Sequence, residues 1–72
     1  MEFVRVAYPS ERFVYIDGQK GGRTNEVLRI DAGSHRFDLG VPVNYQPVSQ
    51  EVEVQGTTVL TSRVVVFVEA WE

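Results

Sequence analysis

Apolar and polar positions alternate along this chain with a period of two, and no window sustains apolar residues at i, i+3, i+4 and i+7. Strands are therefore expected throughout, and helices nowhere. The first strand runs from Phe3 to Tyr8, with Val4 and Val6 on one face and Arg5 on the other. Pro9-Ser10 ends it, because proline has no N–H to give to a ladder. The second spans Phe13 to Asp17, with Val14 and Ile16 turned inward. Asp17-Gly18 then opens a loop in which Gly18, Gly21 and Gly22 are free to take positive φ. A third strand, Glu26 to Ile30, points Leu28 and Ile30 inside. Asp31-Ala32-Gly33 reads as a tight hairpin turn into a fourth, Ser34 to Leu39, where His35, Phe37 and Leu39 share a face. The link from Gly40 to Val48 holds Pro42 and Pro47 with Asn44 and Tyr45 between them. The fifth strand, Gln50 to Gln55, sets Val52 and Val54 against Glu51 and Glu53, and Gly56 turns the chain into a last strand from Thr58 to Val68. Because Val64 to Val68 is apolar at every position, that strand is expected to be central or covered by a partner, not a bare edge.

This spacing predicts an all-β fold, a small antiparallel β-sandwich of about six or seven strands forming a single domain over residues 1–72. Its dry interior would take Val4, Val6, Val14 and Ile16 from the first two strands, and Leu28, Ile30, Phe37 and Leu39 from the next two. Val52, Val54, Leu60, Val64 and Val66 would complete it. Size sharpens the picture, since a chain of 72 residues buries only about 60% of its unfolded surface and supports one core with little room for a deep pocket. Cysteine is absent, so neither a disulfide nor a thiolate metal site supplements the packing. Seven basic and ten acidic residues are interspersed to a net charge of -3, which argues against a nucleic-acid footprint or a polybasic membrane patch. No apolar run is long enough for a membrane-inserted span. The opening Met-Glu-Phe-Val-Arg does not resemble a signal peptide. A cytoplasmic location is expected if the chain is complete, and an envelope or extracytoplasmic one if it is cut from a larger chain.

Candidate chemistry is sparse. The segment Asp17 to Thr24 has glycines, Lys20, Arg23 and Thr24, the residue types of a phosphate-cradling loop. Such a loop needs a helix directly after it, and the residues beyond Thr24 read as a strand, so the segment is expected to be a turn. His35 is the single histidine, and metal or acid–base work there would require Asp17, Asp31 or Asp38 to converge on it; a half-buried strand residue bonded to its neighbours is the simpler reading. Ser10 and Ser34 have no spacing that makes a triad with His35. Glu51 and Glu53 read as a solvated strand face. No catalytic, cofactor or metal residue is assigned. Tyr15, Tyr45 and Trp71 are the candidate contacts to a partner, since aromatic side chains anchor protein or sugar surfaces. Asp17, Gly18, Gly22, Thr24, Gly33 and Asn44 are expected to shape turns.

The run Val14-Tyr15-Ile16-Asp17-Gly18, three residues, Gly22-x-Thr24, then Leu28-x-Ile30-x-x-Gly33-x-His35-x-Phe37-x-Leu39 and Asn44-Tyr45 resembles the PEGA domain. That family's pattern is V-x-V-D-G-x-x-x-G-x-T-P, an apolar strand, G-x-H-x-V-x-L and G-Y. Three positions depart from it. Pro9-Ser10-Glu11-Arg12 stands where the naming tetrapeptide would be, Asn25 replaces the proline after threonine, and Asn44 precedes the tyrosine in place of glycine. The resemblance implies a short β-sandwich similar to the regulatory-like domains of carboxypeptidases, of a kind common in bacterial and archaeal envelope proteins, with no catalytic or cofactor residues to carry over. The expected role is a non-enzymatic binding or spacer module contacting protein or cell-envelope polysaccharide through a sheet face or edge. The alternatives are a structural or regulatory subunit that forms a homodimer by strand pairing along Val64 to Val68, and a metal-dependent enzyme centred on His35.

Overall fold

A computed structural model describes residues 1–70. Among the described residues there are nine strands and no helix. They are β1 (Glu2–Ala7), β2 (Phe13–Ile16), β3 (Gln19–Arg23), β4 (Val27–Ile30), β5 (Gly33–Asp38), β6 (Tyr45–Gln46), β7 (Gln50–Val54), β8 (Arg63–Val66) and β9 (Val68–Glu69). The strands form a three-stranded sheet ordered β4-β1-β8, a four-stranded sheet ordered β3-β2-β5-β7, and a short β6-β9 ribbon. The two main sheets close on one core. Val4, Val6, Leu28 and Val65 enter it from the first and Val14, Phe37 and Val54 from the second, while Tyr8, Leu39, Tyr45 and Phe67 fill one end. Pairing is antiparallel except between β1 and β8, which run parallel with Arg5 beside Val64 and Ala7 beside Val66.

The all-β sandwich follows from the alternation, and the differences from expectation lie where alternation is silent. Asp17 to Thr24 is not a long loop. Asp17 (φ 53) and Gly18 (φ 84) form a two-residue turn with both positions left-handed, the geometry whose twist matches a hairpin, and the chain returns at once as β3 with Ile16 opposite Gln19. Gln-Lys-Gly-Gly-Arg carries no apolar side chain, so nothing in its pattern betrays a strand. Gly22, expected to shape a turn, lies inside β3. A Cβ there would run into the side chain of Leu28, and its φ of 155° suits glycine, so the residue is set by close approach between the sheets.

Asp31-Ala32-Gly33 is not a hairpin turn. β4 pairs with β1 and β5 pairs with β2 and β7, so the chain crosses from one sheet to the other at this corner. The strand expected from Thr58 to Val68 is shorter and split. Residues 57–62 form a loop with Leu60 97% exposed, and β8 begins only at Arg63. β8 also faces the other way: Val65 and Phe67 are buried, while Val64 and Val66 are 42% and 54% exposed. Nor is it central, since it edges its sheet with β1 as its one neighbour. The parallel register explains the reversal, because Val65 sits beside the fully buried Val6 and must share its face. Ile16, Ile30 and Val52 reach the core only in part.

Candidate functional site

Two polar assemblies hold the ends of the sandwich. At one, Asp17 in the β2–β3 turn and His35 on β5 meet, with Nδ1 2.6 Å from Asp17 Oδ2, while Nε2 lies 2.8 Å from the Asp31 carbonyl oxygen. Asp17 Oδ1 accepts the Arg36 N–H at 2.9 Å. Both partners of the ring are acceptors, so both nitrogens donate when it is protonated. The bond to Asp17, then that to the Asp31 carbonyl, raises the His35 pKa above its ordinary 6.5 despite some opposing burial. The Arg36 N–H, followed by His35, holds the Asp17 carboxyl below its ordinary 3.8. The cluster ties the hairpin to the corner between the sheets. Asp31 bonds the ring through its backbone carbonyl, its carboxylate acting only by its charge, and Asp38 turns its Oδ1 to the Gly40 N–H. Among the described residues no group of three His, Cys, Asp or Glu side chains is placed to hold a metal. Ser34 neighbours His35 in sequence but projects to the opposite face of β5, across from Glu53. Ser10 lends only its carbonyl, to the Thr24 hydroxyl.

At the other end Arg12, which no sequence pattern singles out, binds the proline-containing link. Its Nη1 donates to Asn44 Oδ1 at 2.5 Å, and its Nη2 to the Leu39 and Pro42 carbonyls at 3.2 and 2.8 Å. The guanidinium carbon lies 4.9 Å from the Tyr45 ring centroid, adding a cation–π contact. Periodicity is blind to such a pairing, since Arg12 stands between strands and its acceptors lie about 30 residues on. Tyr45, expected to contact a partner, is 3% exposed. Its ring packs edge-on against Tyr8 and Phe67, and its hydroxyl donates to the Gly40 carbonyl and accepts the Leu39 N–H. Asn44 shapes the link through its bond to Arg12. Tyr15 is half-buried with its ring over Gly40, where a Cβ would come 2.6 Å from Cε1. Trp71 lies outside the described residues.

Thr24 and Asn25 act over distance and not locally. The buried Thr24 hydroxyl accepts the Arg12 N–H at 3.0 Å and donates to the Ser10 carbonyl at 2.9 Å. Asn25, with φ 66, gives its N–H to the Val6 carbonyl, while its side chain donates to the Tyr8 carbonyl and accepts the Tyr8 N–H. Together they lay the 8–12 segment onto the body of the fold.

The two outer faces of the sandwich differ in chemistry. On the four-stranded sheet, outward positions are mostly charged and of both signs: Lys20 and Arg23 lie over the half-exposed Phe13 ring, Arg36 sits across from Glu51, and Glu53 follows on β7. The three-stranded sheet presents Phe3, Arg5 and Ala7 from β1, Val27 and Arg29 from β4, and Val64 and Val66 from β8. In register these make one row of Val27, Arg5 and Val64 and another of Arg29 and Phe3, with no carboxylate at any outward strand position. An open depression of about 330 Å³ lies on it between Met1, Phe3, Val27, Arg29 and Val59. Alternation alone does not disclose this face, because a β8 register shifted by one residue hides Val64 and Val66 in the core.

No curated protein and no solved structure matches the chain. The model of the PEGA domain matches residues 6–66, from the last two residues of β1 to the end of β8, and so takes in the Asp17–His35 and Arg12–Asn44 clusters but not Phe3 and Arg5 of the outer face. Over that span, which is most of its length, the chain belongs to the PEGA domain family.

Proposed function

We propose that this PEGA domain is a non-enzymatic β-sandwich module that binds protein through the outer face of its β4-β1-β8 sheet. The carrying observation is the concentration of exposed apolar side chains on that face, with Val27, Val59, Val64 and Val66 each at least 42% exposed, beside arginines and no acid. The only chemically suggestive side-chain group, Asp17 with His35, has both ring nitrogens engaged among the described residues, which favours a structural role for it over catalysis. A place in a larger envelope or surface protein accords with the settings in which modules of this family are common. Polysaccharide is less favoured as the partner, because sugar stacking uses open aromatic faces, whereas Phe13 lies beneath two cations and Tyr45 is buried. Self-pairing along Val64 to Val68 has less support than face docking: Gln50 Nε2 already meets the Val66 carbonyl at 2.6 Å, and Val68 is paired with Gln46.

The test is a titration with anilinonaphthalene sulfonate, an apolar anion, followed by amide chemical shifts. Shifts concentrated on Phe3, Val27, Arg29 and Val64, and weakened in V27E, are the expected outcome. Shifts centred on Asp17 and His35, or none, would remove the reading.

A further inference from the structure

Resting on that reading of the face, we infer that its occupant is a second copy of this chain, docked through the acidic outer edge of β7. Charge decides among occupants. The apolar face carries Arg5 and Arg29, whose partner must supply carboxylates, and β7 supplies Glu51 and Glu53 on the outside of the other sheet. None of these four takes part in an ion pair among the described residues. Spacing agrees with the pairing. Arg5 is opposite Val27 and Arg29 is two residues further along β4, a diagonal of about 7 to 8 Å, while residues two apart on a strand are separated by about 7 Å. The acidic edge also has an apolar neighbour. Val41, Val43 and Val48, each more than half exposed, border a depression of about 310 Å³ that Arg36, Asp38 and Ser49 also line, just ahead of Gln50 where β7 begins.

Because the contact joins two different faces, it does not close on itself as a two-fold dimer does. Each added copy offers a fresh face, and the product is a head-to-tail series of sandwiches, open or closed into a ring.

Sedimentation of the whole chain over a concentration series tests this with two double variants, R5E/R29E and E51R/E53R. All four positions are exposed, so folding is retained, and circular dichroism checks it. The average mass of the unmodified protein is expected to rise with concentration at low salt and to return to monomer near 1 M salt, where screening shortens to about 3 Å. Each variant alone should stay monomeric, since its two faces then carry the same sign. Mixing the two in equal amounts should restore assembly, which a loss of folding could not do. A monomer throughout, or assembly of either variant alone, would overturn the inference. Dye shifts on Phe3 and Val64 with no assembly would sink the second copy while leaving the docking face standing; absence of both would sink the two together.

Discussion

Single residues carry more of this fold than their place in the pattern suggests. Arg12 satisfies three acceptors from one guanidinium, a fork that an ammonium cannot reproduce. Arg12→Met is expected to cost about 2 to 3 kcal/mol in denaturant unfolding, with Arg12→Lys recovering little of it. Asn25 stands where the family pattern has proline, and its own geometry explains the departure. A φ of 66° is closed to a proline ring, and its N–H is already given to the Val6 carbonyl. Restoring the family residue by Asn25→Pro should therefore destabilise the chain, by about 2 to 4 kcal/mol. The Asp17–His35 bond adds a pH dependence whose sign follows from the two shifts. His35 is raised, so its contribution is full below pH 6.5 and is lost as pH rises through its folded value; Asp17 is depressed, so its contribution is present above 3.8 and is lost as pH falls through its folded value. Thermal scans should show this increment greatest between those limits, and H35Q should flatten the alkaline side. A midpoint for His35 below 6.5 by proton NMR would contradict the arrangement.

At the level of elements, legibility in the sequence was set by which strands bury one clean face. β1, β2 and β7 alternate, and of their inward residues Val4, Val6, Val14 and Val54 are fully buried. β3 has no apolar residue to alternate, so only the Asp-Gly turn hinted at it, and β6 and β9 are two-residue ribbons below any pattern. β8 is the instructive case. Five successive apolar residues fit either register, and the choice is made by Val6 across the parallel pairing, which a linear pattern does not contain. The register can be checked directly. Val65→Ala should cost about 1.5 to 3 kcal/mol in denaturant unfolding, whereas Val64→Thr and Val66→Thr should each stay within about 0.5 kcal/mol. Equal losses at all three would mean the strand sits otherwise.

For the molecule as a whole, two layers were legible and their wiring was not. The corner at Asp31-Ala32-Gly33 looks like a hairpin because it is short and ends in glycine, yet it moves the chain between sheets, a distinction made by partners far away in sequence. The docking face inherits that difficulty, since its rows join β4, β1 and β8 across the length of the chain. The same wiring has a mechanical side. β1 and β8 lie parallel, so tension applied at the two chain ends draws them past one another along their length. Once the short β9 rung peels away, every backbone bond between Arg5, Ala7 and their neighbours on β8 is loaded in shear at once, whereas a hairpin opened from its free end unzips rung by rung. Strung in series and stretched, such a unit is built to hold until its rungs fail together.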